Sequence, residues 1–327
     1  MNKYNIYNQD CIVGMQEYVA DNTVDMIFTD PPYGIEGDTL DKHYARDESF
    51  VVPGYVDVPK SQYSDFSNKW IAQCARVLKP GGSMYIVSGY SGLNCILNAL
   101  GNTELQEVNH LIAQYTFGVS TKAKWVSSHY HILYYVKPPV KLKTFNTLCR
   151  FADHGDSYHD RLSVQSLKRD YKPGQLKNKN QLPEEFVQKF IDYSSNRGDV
   201  ILDPFMGGFT TARVALRRGR KVVGFELNTT AYDAFLPGLS DIVEMDDPTP
   251  IVPSDEEMEK RIKKRAGYKR AAERRALLKN ALVKMQSKEP DDDIDDDLVM
   301  FRDYIDSTIK DVSLDDIKKT YKTLKKK

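Results

Sequence analysis

The residues most able to do chemistry in this 327-residue chain follow the ends of two predicted strands. The first group is the tetrapeptide Asp30-Pro31-Pro32-Tyr33, which comes directly after an apolar run at residues 24–29. Open parallel sheets bind their ligands beyond the carboxyl ends of their strands. The tetrapeptide is therefore a candidate catalytic site, although prolines and an aspartate after a strand also form ordinary turns.

The second group begins at Asp203 and reads Asp-Pro-Phe-Met-Gly-Gly, again between a predicted strand and a predicted helix. Its small residues would let a ligand approach the backbone near the start of the helix. Glu226 closes the next predicted strand, a position from which a carboxylate can hold ribose hydroxyls in dinucleotide-type folds. The glycine pattern is not the usual GxGxxG, and an acidic residue at a strand end is often only solvated, so this group alone is weak evidence.

The elements that must position these residues follow from hydrophobic periodicity. Residues 24–29 form a short apolar run that predicts a buried strand, and apolar residues recur at helical spacing over residues 66–78. Pro183 is a good first residue for a further helix, and the sequence TTARVALRRG predicts another. The remaining predicted strands are MYIVSG, VNHLIAQYTFG, HYHILYYVKP, DVILDPF and KVVGFEL. This alternation predicts an α/β domain with a mainly parallel sheet.

Composition excludes several classes of protein. The chain has 46 basic and 46 acidic residues and 41% hydrophobic residues, which is typical of a globular protein with a full core. No apolar run is long enough to span a bilayer, and the start of the chain lacks the apolar stretch of a secretory signal. The four cysteines show no CxxC spacing, which argues against a structural zinc site or a disulfide framework. We therefore expect a cytoplasmic protein without a membrane partner.

Charge is distributed unevenly along the chain. Residues 120–180 contain twelve basic and four acidic residues, together with several aromatic ones, which suits a surface that binds phosphates or an ordinary solvated loop region. From residue 255 onward, basic and acidic residues alternate in blocks. We therefore place a domain boundary near Pro253, with a catalytic domain at residues 1–253 and a charged helical C-terminal extension at residues 254–327. The extension could contact DNA, dock on the core or pair two copies into a homodimer.

Taken together, the motifs resemble the DNA amino-methyltransferases, which use S-adenosylmethionine to methylate the exocyclic amine of adenine or cytosine. The resemblance covers residues 4–230. The order, with the tetrapeptide before the cofactor motif and a variable basic segment between them, is that of the beta group of this family. The resemblance rests on the segments NQDCIVGM, VDMIFTDPPYG, RVLKPGGSMYIVSG, HYHILYYVKP, NQLPEEFVQKFIDYSSNRGDVILDPFMGG and KVVGFELN.

The resemblance implies a Rossmann-like fold with a mostly parallel seven-stranded sheet, and it implies roles for the tetrapeptide. The Asp30 carboxylate and the Pro31 carbonyl would accept the two N–H bonds of the target amine. Pro32 is also among the catalytic residues that the resemblance implies, and Tyr33 would offer an aromatic face to a flipped base. Aspartate in the first position is similar to the adenine-N6 enzymes, since cytosine-N4 enzymes more often carry serine there. No metal ion is required.

The same resemblance implies a cofactor site for S-adenosylmethionine and double-stranded DNA as the partner. Asp10 and Asn180 could equally be helix caps. The implied cofactor-binding residues are Asp10, Cys11, Asn180, Gln181, Asp203, Phe205, Gly207, Glu226 and Asn228.

One departure from the family pattern leaves alternative functions open. Phe209 stands where the family usually has a glycine, so its ring would crowd the cofactor pocket or stiffen the turn. The competing functions are a cytosine-N4 DNA methyltransferase, an RNA methyltransferase, against which the permuted order argues, and an inactive DNA-binding relative. The candidate segments for target recognition are residues 35–65 and an insert at residues 140–178.

Overall fold

The computed structural model describes most of the predicted catalytic domain. The described residues are 3–34, 52–54, 57–116, 122–146, 160–168 and 181–247, with separate helical residues between 259 and 276. The chain divides into two compact units, Met1–Ile251 and Val252–Lys327. Among the described residues no helix is long and apolar enough to cross a membrane.

The described strands of the first unit form one sheet with the order β1-β8-β7-β2-β3-β5-β4-β6. Five of its neighbouring pairs are parallel, and only β5 runs antiparallel to its two neighbours. The strands are β1 Tyr4–Tyr7, β2 Val24–Thr29, β3 Leu78–Ser88, β4 Gln106–Gln114, β5 His129–Val136, β6 Val164–Ser166, β7 Val200–Asp203 and β8 Lys221–Phe225.

The predicted α/β fold with a mostly parallel sheet is confirmed, but the predicted number of seven strands is wrong. The eighth strand in the described residues is β6, which pairs in parallel with the end of β4. It has only three residues and alternates exposed and buried positions, Val164 and Ser166 facing outward and Gln165 inward. A strand so short leaves no periodic pattern in the sequence.

Within the described residues, six helices cover the two faces of the sheet, because the strands between them are apolar on both sides. On one face, Met15, Trp70 and Ile96 pack against the sheet, and on the other Phe190 and Val214 do so. The helices are α1 Cys11–Tyr18, α2 Tyr63–Val77, α3 Leu93–Gly101, α4 Glu184–Ser194, α5 Thr210–Arg217 and α6 Thr229–Phe235. Pro183 is the N-cap of α4 and not its first residue as predicted.

The predicted insert at residues 140–178 is described only in part. Asn146 Nδ2 donates to the carbonyl of Asp192 at 2.9 Å, and the Tyr193 hydroxyl donates to the buried carboxylate of Asp160 at 2.5 Å. Both described pieces of the insert are therefore fixed to the end of α4. Residues 147–159 and 169–180 of this segment, and residues 35–51, 55 and 56 of the other target-recognition segment, lie outside the described residues.

A charged network fixes the last part of the first unit. Arg218 and Arg220 are nearly fully buried. Arg218 Nε donates to the carboxylate of Asp192 at 3.0 Å, and its Nη1 donates to the carbonyl of Asp246. Arg220 Nη1 donates to the carboxylate of Asp247. Residues 246 and 247 thus accept hydrogen bonds from two buried guanidinium groups beneath α4 and α5.

Candidate active site

The predicted site residues meet in one cleft at the carboxyl ends of the parallel strands. The space between atoms in the cleft, counted together with the solvent at its open mouth, is about 1190 Å³. Asn180 lies outside the described residues. All the others line the cleft, namely Asp10, Cys11, Asp30, Pro31, Pro32, Tyr33, Gln181, Asp203, Phe205, Gly207, Glu226 and Asn228.

Parallel pairing explains why residues so distant in sequence are neighbours. β2 pairs with β7, and β7 pairs with β8, all in parallel. The three strands therefore end at the same edge of the sheet, where Asp30, Asp203 and Glu226 follow one another across adjacent strands.

Asp30 is held by its neighbour Tyr33, whose hydroxyl donates to Asp30 Oδ1 at 2.6 Å. Burial raises the pKa of Asp30 to about 7, the Tyr33 hydrogen bond opposes this rise, and the nearby charge of Asp203 adds to it. A carboxylate can accept about four hydrogen bonds, so the Tyr33 hydroxyl uses only part of the capacity of Asp30.

The backbone of the tetrapeptide is fixed from outside. The Tyr63 hydroxyl donates to the carbonyl of Pro32 at 2.6 Å, and the amide of Gly34 donates to Asp57 Oδ1 at 2.9 Å. Gly34 has a φ of 63°, and a Cβ there would lie 2.8 Å from the Tyr63 ring. Glycine is therefore required at this position, and the turn after β2 is a rigid support for Asp30.

Asp203 lies deeper in the cleft and is tied to both sides. Its Oδ1 accepts hydrogen bonds from the Thr29 hydroxyl at 2.8 Å and from the amide of Phe205 at 3.0 Å. Burial raises the pKa of Asp203 to about 6, and hydrogen bonds from Thr211, Phe205 and Thr29 oppose the rise. Thr29 is the last residue of β2, so Asp203 connects the two predicted motifs directly.

Glu226 accepts hydrogen bonds from two backbone amides. Its Oε2 accepts from Gly207 at 2.6 Å, and its Oε1 accepts from Asn228 at 2.8 Å. Burial raises the pKa of Glu226 to about 7, against the effect of these two bonds. The carboxylate thereby joins the glycine turn to the end of β8 while still lining the cleft.

Asp10 and Cys11 line the cleft at the point where α1 begins. Asp10 Oδ1 accepts from the amides of Ile12 at 2.9 Å and Val13 at 3.1 Å, so Asp10 is the N-cap of this helix. Asp10 also lines the cleft, so the two interpretations made from the sequence, a helix cap and a cofactor contact, are compatible. Cys11 is buried, and burial raises the pKa of its thiol well above the usual range.

Asn228 has two structural functions besides lining the cleft. Its Oδ1 caps α6 by accepting from the amide of Thr230 at 2.9 Å. Its Nδ2 donates to the carbonyls of Pro53 at 2.8 Å and Gly54 at 3.0 Å. Asn228 thus holds the segment at residues 52–54 at the edge of the cleft.

Phe209 does not crowd the cleft. Its side chain is fully buried, with its ring centroid 6.3 Å from that of Tyr232 and 6.1 Å from that of Phe235. Its backbone is left-handed, with φ 58° and ψ 27°, a conformation that favours glycine. The sequence therefore identified a real backbone constraint, whereas the ring points into the core and leaves the ligand space open.

Some residues that support the cleft, and others that line it, were not predicted from the sequence. Arg213 Nη1 donates to the carbonyl of Gly208 at 2.5 Å and its Nε donates to Glu184 at 2.9 Å, which ties the glycine turn to the first turn of α4. Thr29 had a detectable signal, a polar residue closing an apolar strand beside Asp30. Val58, Phe66 and Leu227 also line the cleft without any motif to mark them.

The fold and the carboxylate-lined cleft at the strand ends agree with the result of the comparison with known families. Residues 24–236 match the family described as DNA methylase, which comprises N6 and N4 methyltransferases. The chain belongs to this family.

Particular relatives refine this assignment. The chain is 35% identical over 244 residues to the type II methyltransferase M.BamHI of Bacillus amyloliquefaciens, covering 68% of this chain and 54% of that protein. It is 30% identical over 224 residues to the type II methyltransferase M.HpaI of Haemophilus parainfluenzae, covering 64% and 66% respectively. The chain thus spans between about half and two thirds of the length of these relatives.

Two solved structures share the fold. The M1.HpyAVI–SAM complex superposes with a TM-score of 0.52 at 21% identity, covering 72% of this chain and 98% of that one. The cytosine-N4-specific PvuII DNA methyltransferase superposes with a TM-score of 0.54 at 14% identity, covering 73% and 90%. At these identities the likeness concerns the fold alone.

Proposed function

We propose that this protein transfers a methyl group from S-adenosylmethionine to the N6 amine of adenine in double-stranded DNA. The observation that carries the proposal is the opening of the Asp30 tetrapeptide and the Asp203–Asn228 segment onto one cleft. A reaction between two bound molecules requires both half-sites in the same space, and such positioning can contribute about 7–11 kcal/mol to catalysis.

The chemistry of the cleft fits S-adenosylmethionine. This molecule carries a sulfonium, an ammonium group and two ribose hydroxyls, and carboxylates are suitable partners for all of them. Asp10, Asp203 and Glu226 provide carboxylates around the cleft, and Phe205 and Leu227 provide apolar contact for a purine ring. When bound, the cofactor supplies an activated methyl group.

Asp30 and Pro31 would act on the acceptor. An exocyclic amine is a poor nucleophile because its lone pair is delocalised into the ring. Hydrogen bonds from the amine to the Asp30 carboxylate and the Pro31 carbonyl would draw electron density onto the nitrogen and stabilise the positive charge that grows there. With a pKa of about 7, Asp30 is partly ionised at neutral pH and can also receive the proton that the nitrogen loses.

The target base must leave the duplex to reach this position, at a cost of a few kcal/mol. The Tyr33 ring lies beside Asp30 and is placed to contact a base entering the cleft. A flipped base would therefore meet an aromatic side chain and two oxygen acceptors together.

The choice of adenine rests on Asp30. Cytosine-N4 methylation is the alternative, since the family comprises both types and one of the structures with the same fold is cytosine-N4-specific. An aspartate in the first position of the tetrapeptide supports adenine.

The experiment is methyl transfer by the full chain to duplex genomic DNA with S-adenosylmethionine labelled in its methyl group. The DNA is then digested and the labelled nucleoside identified. We expect N6-methyladenine from the wild-type protein and none from Asp30→Asn. Labelled N4-methylcytosine would support the alternative instead, and a folded wild-type protein that labels neither DNA nor RNA would contradict the proposal.

A further inference from the structure

The described part of the connection between β4 and β5, residues 122–128, exposes a large aromatic side chain. Trp125 is 96% exposed, the highest value among the large hydrophobic side chains of the described residues. The other tryptophan of the chain, Trp70, is fully buried. An indole ring left in water loses the hydrophobic stabilisation that burial gives, so a surface tryptophan of this kind is typical of a binding surface.

This connection lies at the edge of the sheet that carries the candidate active site. β5 is antiparallel to both β3 and β4, so β4 runs in the same direction as β3 and β2 and ends at the same edge as Asp30. Tyr90, which follows the end of β3 at this edge, is 66% exposed. Two exposed aromatic residues therefore follow strands, β3 and β4, that end at the same edge of the sheet as β2, the strand that precedes Asp30.

Ring contacts fix the connection beside the tetrapeptide. The ring centroid of Tyr130 lies 5.9 Å from that of Tyr33 and 4.8 Å from that of Tyr115. The amide of Tyr115 donates to the carbonyl of Ser128 at 2.8 Å. The segment that bears Trp125 is thus anchored at Ser128, and Tyr130, two residues further along the chain, contacts Tyr33.

The charge around Trp125 indicates the kind of partner. Lys122 and Lys124 precede it and are exposed, and residues 122–131 contain no acidic residue. An aromatic ring beside lysines is the combination that binds nucleic acid, since the lysines neutralise phosphates and the ring stacks on a base. An apolar protein partner would give no reason for the two charges.

We propose that residues 122–128, here called the Trp125 loop, bind the DNA next to the target base. Trp125 stacks on a base that flipping leaves exposed, and Lys122 and Lys124 contact the phosphates. The inference rests on the proposed function, because the Trp125 loop borders the site where the flipped base would react. Flipping the target removes its stacking partners, and an indole ring can replace one of them.

The first test uses the intrinsic fluorescence of the full chain. Trp70 is buried, so quenching by acrylamide reports mainly on Trp125. We expect a duplex that contains the methylation site to reduce this quenching in the wild-type protein and to leave the Trp125→Phe variant, which retains only Trp70, unchanged. Heparin, a polyanion without bases, should protect Trp125 much less, and equal protection by heparin would overturn the stacking part of the proposal.

The second test measures affinity for the same duplex at several salt concentrations. Trp125→Ala should weaken binding about tenfold, and Trp125→Phe should stay within about threefold of the wild type. The double variant Lys122→Ala, Lys124→Ala should reduce the slope of log affinity against log salt by about 2. Lys3→Ala, an exposed lysine before β1 at the opposite edge of the sheet, is the matched control and should change the slope much less.

The outcomes separate this inference from the proposed function. If Trp125→Ala binds the duplex as the wild type does, and acrylamide reaches Trp125 equally in the complex, the Trp125 loop is not a DNA contact even though methyl transfer continues. If the wild-type protein neither binds nor methylates DNA, both proposals fail. Because Trp125 is exposed, its substitution should leave the melting temperature unchanged, which verifies that the variants are folded.

Discussion

The two sides of the cleft hold their carboxylates in different ways. On the cofactor side, residues 203–228, backbone amides donate to both Asp203 and Glu226. On the acceptor side, residues 30–33, the hydrogen bond to Asp30 comes from the phenol of Tyr33. A backbone amide is fixed by the fold, whereas a phenol can rotate away. The carboxylates of the cofactor side are therefore held by the backbone. Asp30 on the acceptor side has a side-chain donor, whose hydrogen bond a substrate amine can supplement or replace.

Substitution of Asp30 by asparagine should give the largest effect on catalysis. Asparagine keeps the size of the side chain and one oxygen acceptor but removes the negative charge that would stabilise the transition state. We expect kcat to fall by about 10³-fold. Cofactor affinity, measured by calorimetry, should stay within about threefold, because the cofactor side is unchanged. A tenfold or greater loss of cofactor affinity would mean that the two sides are not separate.

The second test measures how the free energy of unfolding depends on pH. It concerns the carboxylates on both sides of the cleft. The pKa values of Asp30 and Glu226 are raised to about 7 and that of Asp203 to about 6, all above their unfolded values near 4. Between about pH 4 and pH 7 the folded protein therefore binds more protons than the unfolded chain, and the free energy of unfolding should fall as the pH rises through this range.

Asp30→Asn measures the share of one carboxylate in this effect. At pH 8 the variant should be more stable than the wild type by about 2 kcal/mol, a figure reduced for the partial exposure of the cleft. At pH 4, where Asp30 is protonated in the folded protein, the two should have similar stability. Denaturant titrations at both pH values provide the measurement. If the variant and the wild type differ in free energy of unfolding by the same amount at both pH values, the difference does not come from the charge of Asp30.

Tyr33→Phe should have a smaller effect on the acceptor side alone. The hydrogen bond from Tyr33 lowers the pKa of Asp30, so its loss should raise that pKa and shift the acid limb of the kcat/KM profile to higher pH. At pH 7 we expect a loss of about tenfold, since hydrogen bonds to charged groups contribute about 1.5–3 kcal/mol. The loss should shrink at pH 9, where Asp30 is ionised in both proteins. A loss that is the same at every pH would mean that the Tyr33 hydroxyl does not act through the pKa of Asp30.

Thr29→Val should have the smallest effect, because Asp203 keeps its other donors. Removal of one buried hydroxyl should reduce the free energy of unfolding by about 1 kcal/mol and change cofactor affinity less than threefold. Thr29→Ser retains the hydroxyl and is the matched control. A loss of cofactor binding in Thr29→Val but not in Thr29→Ser would show that the cofactor side depends on a single side chain after all.

The contrast also shows which parts of the site can be predicted from sequence. Val24–Thr29, Val200–Asp203 and Lys221–Phe225 are predictable because buried parallel strands are continuous apolar runs. The residues at the ends of these strands can then be predicted to lie close together, because neighbouring parallel strands end at the same edge of the sheet. The link between Thr29 and Asp203 was missed because it joins residues 174 positions apart.

Other features depend on tertiary contacts that no local pattern records. Asn228 is recognisable as a helix cap, but its contact with the backbone of Pro53 and Gly54 depends on where that segment returns to the cleft. The glycine-like position of Phe209 could be inferred from the family motif, whereas the direction of its ring could not. Tyr232 and Phe235 decide that direction by offering the ring a place in the core.

The hydrogen bonds from Arg218 and Arg220 to residues 246 and 247 determine where this protein can be shortened. A chain cut before Asp246 would remove one acceptor from each of two buried guanidinium groups, and removing one partner of a buried ion pair costs about 3–5 kcal/mol. Such a fragment would lose activity through unfolding, whatever the C-terminal extension does. Studies of the extension by deletion should therefore retain the chain through Asp247, so that a loss of DNA binding can be attributed to the removed residues.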